Sequence, residues 1–94
     1  MAMPTTVEGK NKKHRVMLYA LSTCIWCKKT KKLLDNLDVC YDFVFVDLLS
    51  GSEEEKVMRE VKKYNPECTF PTTVIDAGTA IVGFKEDEIK RALA

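Results

Sequence analysis

The hydrophobic period changes twice between Val16 and Asp47, and this constrains the fold more than any other feature of the chain. Val16-Met17-Leu18-Tyr19-Ala20-Leu21 is a continuous apolar run of strand length, the pattern of a strand buried on both faces. After a tight turn at Ser22-Thr23 the period becomes helical, from Ile25 to Leu37. Thr30, Leu33, Leu34 and Leu37 recur at i, i+3, i+4 and i+7, while Lys28, Lys29, Lys31 and Lys32 take solvent-facing positions. Cys40 to Asp47 is aromatic and β-branched and reads as a second strand. A strand, a helix of about a dozen residues and a strand make a βαβ unit with parallel pairing and a right-handed crossover.

The remaining elements follow from local signals. Ser52-Glu53-Glu54-Glu55 has the form of a capping box, in which Ser52 caps and Glu55 returns to its backbone N–H. The helix it opens carries Val57, Val61 and Tyr64 inward and stops before Asn65-Pro66. Thr72 to Asp76 reads as a third strand, Ala77-Gly78 as a turn, and Thr79 to Val82 as a fourth strand antiparallel to the third. Ile89, Ala92 and Leu93 form one face of a last helix. The expected architecture is α/β, in the order β-α-β-α-β-β-α, with a four-stranded mixed sheet flanked by three helices. Residues 1–14 show no periodicity and read as a flexible arm, which leaves 15–94 as the folded domain. Ninety-four residues are too few for a second core.

Composition narrows the function. No apolar run approaches the roughly 18 residues of a membrane span, and residues 1–15 lack the apolar segment of a secretory signal, so a cytoplasmic protein is expected. Four cysteines in a short chain suggest a disulfide scaffold, but with 46% hydrophobic residues the chain can build a core without staples. Charge is unevenly spread. Residues 1–34 hold eight Lys/Arg against Glu8 alone, whereas residues 35–94 hold seven against thirteen acids. A site near residues 24–32 would sit in a positive field that attracts anions, unless the lysines are simply a solvated face.

Cys24-Ile25-Trp26-Cys27 lies where the first strand meets the first helix. Thiols at that spacing on a helix start stand about one turn apart, close enough to bridge. The first lies at the positive end of the helix dipole, among free backbone N–H groups, with Lys28 and Lys29 one turn on. These surroundings favour thiolate, the reacting species. Cys24 is therefore the expected nucleophile and Cys27 the resolving thiol. A zinc site shares the spacing but needs a second ligand pair, and Cys40, Cys68 and His14 supply none; no metal ligand is assigned. Read alone, Phe70-Pro71 is an ordinary trans proline opening an edge strand; a cis bond there would set the Phe70 backbone beside the thiols.

Three motifs in one order, Thr23-Cys24-x-x-Cys27, Thr69-Phe70-Pro71 and Val82-Gly83 before the last helix, make the chain resemble a glutaredoxin over roughly residues 15–93. The resemblance implies a thioredoxin fold, a cis bond before Pro71, and reversible reduction of protein disulfides or mixed disulfides. It also implies that Thr69, Phe70 and Pro71 cradle a bound thiol, with Val82 and Gly83 nearby. The chain departs from the family at Ile25-Trp26, where proline and an aromatic are usual, and at Leu21, where a lysine is usual. Gly-Phe-base at Gly83-Phe84-Lys85 is similar to the small redoxins that supply ribonucleotide reductase and draw electrons from thioredoxin reductase.

No built-in cofactor is expected. Electrons would come from a low-molecular-weight thiol (glutathione, or another anionic thiol such as coenzyme M) or from a flavoprotein reductase. Disulfide-containing proteins are the expected substrates and a monomer the expected state, with no nucleic-acid or membrane partner. The alternatives are an iron–sulfur carrier using the nucleophilic cysteine with an external thiol, and an inert interaction module. Trp26, in the first helical turn, is expected to be exposed and to touch substrate. Cys40 reads as a small buried apolar residue, Cys68 as a structural or incidental thiol, and His14 as solvated.

Overall fold

The computed structural model describes residues 4–93. Its elements are β1 (Thr5–Val7), β2 (Val16–Ala20), α1 (Ile25–Asn36), β3 (Tyr41–Phe45), a 3₁₀ turn (Val46–Leu48), α2 (Gly51–Tyr64), β4 (Thr72–Ile75), β5 (Thr79–Val82) and α3 (Glu86–Leu93). The strands form one sheet in the order β1-β3-β2-β4-β5. The central pair is parallel, with Ala20 opposite Phe45, as the crossover through α1 requires. β4 runs antiparallel to β2, with Thr72 opposite Tyr19, and β5 antiparallel to β4, with Val82 opposite Thr72. The parallel–antiparallel mix and the three helices are those of the thioredoxin fold.

Strand alternation sends successive side chains to opposite faces, and each face has its own core. Leu18 and Ala20 of β2 join Leu33 and Leu34 of α1 and Ile89 and Leu93 of α3 in one cluster. Tyr19 of the same strand joins Val44, Val46 and Val74 against Val57 and Val61 of α2 in the other. A fully buried Leu, Ile or Val contributes about 1.5–3 kcal/mol, so both layers are strongly held. Buried tyrosines tie helix to strand: the Tyr41 hydroxyl donates to Asp35 Oδ1 at 2.6 Å and the Tyr19 hydroxyl to Glu60 Oε2 at 3.3 Å. Burial, then the Glu60 carboxylate, pushes Tyr19 up to about 12.

Several expectations need correction. The sheet has five strands, not four, because residues 5–7 of the supposed flexible arm pair antiparallel with β3, Thr6 opposite Asp42. Three residues are too few for a period to show, and β1 is held by what it meets: the Thr6 hydroxyl donates to Asp42 Oδ1 at 2.6 Å. Further along, the Asn11 N–H reaches the Asp38 carbonyl and the Cys40 N–H the Asn11 carbonyl, both at 2.9 Å. Gly9 passes so close to the chain that a Cβ would lie 2.4 Å from the Val39 carbonyl carbon. His14 is not simply solvated; its Nδ1 lies 2.8 Å from Asp76 Oδ2. Cys40 is half-exposed rather than core. The Ser52–Glu55 capping box does not form, since α2 starts at Gly51 and Ser50 takes the N-cap position without a side-chain cap bond. No helix among the described residues is long and apolar enough to cross a membrane.

Candidate functional site

The sheet topology gathers four chain segments at one end: the exits of β2, β3 and β5 and the start of β4. Cys24 lies at the first of these and is the N-cap of α1, with extended backbone (φ −86°, ψ 119°). Its N–H donates to the Leu21 carbonyl at 3.2 Å and its carbonyl accepts from the Lys28 N–H at 3.1 Å. Its Sγ takes the place usually held by a capping oxygen and accepts the Cys27 N–H at 3.3 Å. The helix start thus directs a free N–H at the Cys24 sulfur.

Cys27, one turn inside, is 1% exposed and packs in the core cluster of α1 and α3. Burial, then its hydrogen bond to Cys24, pushes its thiol up to about 12. The Leu21 N–H, 3.5 Å from Cys27 Sγ, works the other way, and Cys24 and Asp47 add to the rise through their charges. One thiol is therefore half-exposed on a helix N-terminus while the other is buried and keeps its proton. All four cysteines are free.

The turn that carries Cys24 is braced from the neighbouring strand. Asp47, just past β3, accepts the Ser22 N–H at 2.8 Å through Oδ1 and the Ser22 hydroxyl at 2.5 Å through Oδ2. These bonds, the hydroxyl first, hold the Asp47 carboxyl below the usual carboxylate range.

On the other side the Phe70–Pro71 peptide bond is cis, as the resemblance implied. The loop before β4 is fastened by Asn65, which is 5% exposed. Asn65 Nδ2 donates to the carbonyl and hydroxyl oxygens of Thr69, both at 3.0 Å, and reaches Thr72 Oγ1 at 3.1 Å. The Thr72 hydroxyl donates in turn to the Thr69 carbonyl at 2.8 Å. Gly83, at φ +87°, a value that suits glycine, donates its N–H to the Pro71 carbonyl at 2.8 Å.

Trp26, Phe70, Pro71, Gly83 and Phe84 line one open groove of about 290 Å³. Trp26 is 53% exposed; it stacks on Phe84 with ring centroids 6.1 Å apart, and Lys29 Nζ sits 4.7 Å from its ring. Of the other expected residues, Thr69 is turned into the Asn65 network, Val82 pairs with Thr72 in the sheet, and Lys28 is exposed. Cys68 does not line this groove; it lines a separate hollow on α2 with Met58 and Arg59. Asn65, Asp47 and Phe84 were not picked out from sequence as site residues. Asn65 read only as a helix stop and Asp47 as the end of a strand. Phe84 stood out as a departure, which was the one usable signal. Among the described residues, no group of three or more His, Cys, Asp or Glu is placed to hold a metal ion.

Known proteins are similar to this chain in fold and sequence. The glutaredoxin from Methanosarcina mazei Go1 superimposes with a TM-score of 0.89 and 52% identity, covering 96% of this chain and 86% of that one. Methanosarcina acetivorans methanoredoxin does so with a TM-score of 0.82 and 51% identity, over 84% and 83%. A glutaredoxin-like 8.6 kDa protein from the rubredoxin operon of Clostridium pasteurianum is 36% identical over 78 residues, 83% of this chain and 96% of that protein. The glutaredoxin family model matches residues 16–78, so the strand, thiol pair, crossover and cis-proline loop lie within the match, and the chain belongs to the glutaredoxin family of thiol–disulfide redox proteins.

Proposed function

We propose that the protein is a dithiol oxidoreductase that reduces protein disulfides or mixed disulfides, with Cys24 as nucleophile and Cys27 as resolving thiol. The observation that carries this reading is the contrast between the two sulfurs. Cys24 is half-exposed and takes an N–H from the helix start, whereas Cys27 is buried with its pKa near 12.

The Cys24 thiolate attacks one sulfur of R–S–S–R′, forming Cys24–S–S–R and expelling R′S⁻. Cys27 then gives up its proton and attacks Cys24 Sγ, forming the Cys24–Cys27 disulfide and expelling RS⁻. Two electrons leave the dithiol and the substrate disulfide gains them. Two molecules of a low-molecular-weight thiol, which leave as their disulfide, or a flavoprotein reductase return two electrons and two protons to the protein. In this reading the high Cys27 pKa keeps its proton in place until the mixed disulfide has replaced the Cys24 thiolate. The groove of Trp26, Phe70, Pro71 and Gly83 receives the chain flanking the substrate sulfur, framed by Thr69 and Val82, and Lys28 and Lys29 favour an anionic thiol such as glutathione. The protein acts as a monomer in the reducing cytoplasm.

The test is NADPH-coupled reduction of a small mixed disulfide with glutathione and glutathione reductase, beside Cys24→Ser. Turnover that disappears in Cys24→Ser supports the reading with glutathione as donor. Turnover only with thioredoxin reductase moves the donor to the flavoprotein. Inactivity with both donors and with other anionic thiols overturns the reading.

A further inference from the structure

The pairing of β2 with β3 ends at Ala20 opposite Phe45. Two residues further along that register Ser22 falls opposite Asp47, and there a side chain takes over from the backbone. Asp47 Oδ1 accepts the Ser22 N–H at 2.8 Å and Oδ2 accepts the Ser22 hydroxyl at 2.5 Å. Between the last strand pair and this brace lies a single residue, Leu21. Its N–H donates to Cys27 Sγ at 3.5 Å, and its carbonyl accepts the Cys24 N–H at 3.2 Å. The peptide group shared by Leu21 and Ser22 thus joins Asp47 on one side to Cys24 on the other, and the next N–H back meets Cys27.

The two thiols depend on this segment unequally. Cys24 Sγ takes its N–H from Cys27, inside α1, so its activation belongs to the helix start. Cys27 is buried one turn further in, and its own N–H is spent on Cys24 Sγ. A thiolate formed there needs a donor, because a buried charge without one is costly. The N–H that meets its sulfur is that of Leu21, and this bond favours the thiolate whereas burial disfavours it. The charge of Asp47 also disfavours it. What Asp47 gives to Cys27 is therefore the place of the Leu21–Ser22 segment and not its charge.

We propose that Asp47 is a positioning residue for the second step of the reaction. It anchors Ser22 and so holds the Leu21 N–H on Cys27 Sγ while Cys27 loses its proton to solvent and attacks Cys24 Sγ. The new bond is Cys24–Cys27, and the substrate sulfur leaves Cys24 as RS⁻. The proposal rests on the dithiol reading above and adds to it the group that receives the resolving thiolate.

The experiment is a single turnover of the reduced protein with dithiobis(nitrobenzoate), in a background carrying Cys40→Ser and Cys68→Ser so that only the active pair reacts. Attack by Cys24 releases one thionitrobenzoate and leaves the other on Cys24. Attack by Cys27 on Cys24 Sγ releases the second and closes the disulfide, so the two coloured releases time the two steps separately. Asp47→Ala is expected to slow the second release about tenfold, the scale of one misplaced hydrogen bond to a charged group, without slowing the first. Ser22→Ala keeps the N–H and loses the hydroxyl, and should slow the second release about threefold. Asp47→Asn keeps an acceptor for the Ser22 N–H and drops the opposing charge, so its second release should match or exceed the wild-type rate. Equal slowing of both releases in Asp47→Ala overturns the proposal, as does an unslowed second release or an Asp47→Asn as slow as Asp47→Ala. Should Asp47→Ala fail to fold, a second release unslowed in Ser22→Ala, or slowed in Asp47→Asn, overturns it in the same way. A wild type that releases a single thionitrobenzoate, or none, defeats the dithiol reading itself.

Discussion

Each end of the sheet carries a half-exposed cysteine among lysines, yet the two ends are chemically unlike. Cys24 stands at the exits of β2 and β3. Cys40 stands where β3 begins, in a cavity of about 410 Å³ with Lys12, Lys13, His14 and Arg15. By its cationic surroundings alone, Cys40 would look the better candidate for a reactive thiol. Its backbone N–H is already given to Asn11, however, and no helix starts there. Asp42 and Asp76 line the same cavity, Asp76 pairing with His14, and no second cysteine lines it. Cys24 has a helix N-terminus aimed at its sulfur and a buried partner thiol one turn away. Positive neighbours are common on a protein surface; a directed N–H and a buried second thiol one turn away are built by the fold.

The largest expected effects set these two cysteines against each other. Cys24→Ser should lower disulfide reduction by at least about a thousandfold, the scale of losing a covalent nucleophile, while Cys40→Ser stays within about twofold. Steady-state turnover of both variants checks this, and a tenfold loss in Cys40→Ser would show that the far end takes part. Next in size is Cys27→Ser. Without an intramolecular thiol to release it, the adduct on Cys24 must wait for an external one, a loss on the order of a hundredfold with protein disulfides. Mass spectrometry should find a one-to-one mixed disulfide on Cys24. Undiminished turnover without that adduct would mean that Cys24 works as a monothiol.

The contrast also shows what sequence can convey. The change of period at Ser22-Thr23 locates β2 and α1, and the spacing of Cys24 and Cys27 places both thiols on the first turn, because these are relations between near neighbours. The surroundings of the thiols are different in kind. Asp47 braces Ser22 across 25 residues, Phe84 meets Trp26 only through the pairing of β4 and β5, and Asn65 works through a loop with no period. At the far end, β1 is three residues long and His14 finds Asp76 across 62. In each case the missing information lies in the register of the sheet.

Both ends use a polar clamp, and the buried one should matter more. Asn65 is 5% exposed and serves three acceptor oxygens with one amide. Asn65→Ala removes the amide donor from the Thr69 and Thr72 hydroxyl oxygens and leaves the Thr69 carbonyl with the Thr72 hydroxyl alone, at a cost of about 1–3 kcal/mol in stability measured by denaturant unfolding. Because the loop it holds carries Phe70 and Pro71, KM for a mixed disulfide should rise while single-turnover chemistry at saturation changes little. A stability loss with KM unchanged would make Asn65 a fold residue only.

The exposed clamp at the far end gives the smallest effect, and its direction follows from one carboxyl. Asp76 accepts from His14 and, at 2.9 Å, from the Arg15 N–H; these bonds, the His14 one first, hold its pKa below the ordinary 3.8. A carboxyl depressed in the folded state stabilises the fold above its unfolded pKa, and the contribution is lost as pH falls through the folded value. The arm's attachment should therefore be intact at neutral pH and loosen below about pH 4, before the core opens. Hydrogen exchange corrected for intrinsic rates reads this directly. The Arg15 amide should lose protection at acid pH while amides of the β2–β4 pairing keep theirs, and Asp76→Asn should remove the step. Arm protection that stays flat through pH 3 in the wild type would show that β1 and the Asn11 bridge hold the arm without the clamp. Only the end that carries Cys24 would then depend on polar clamps.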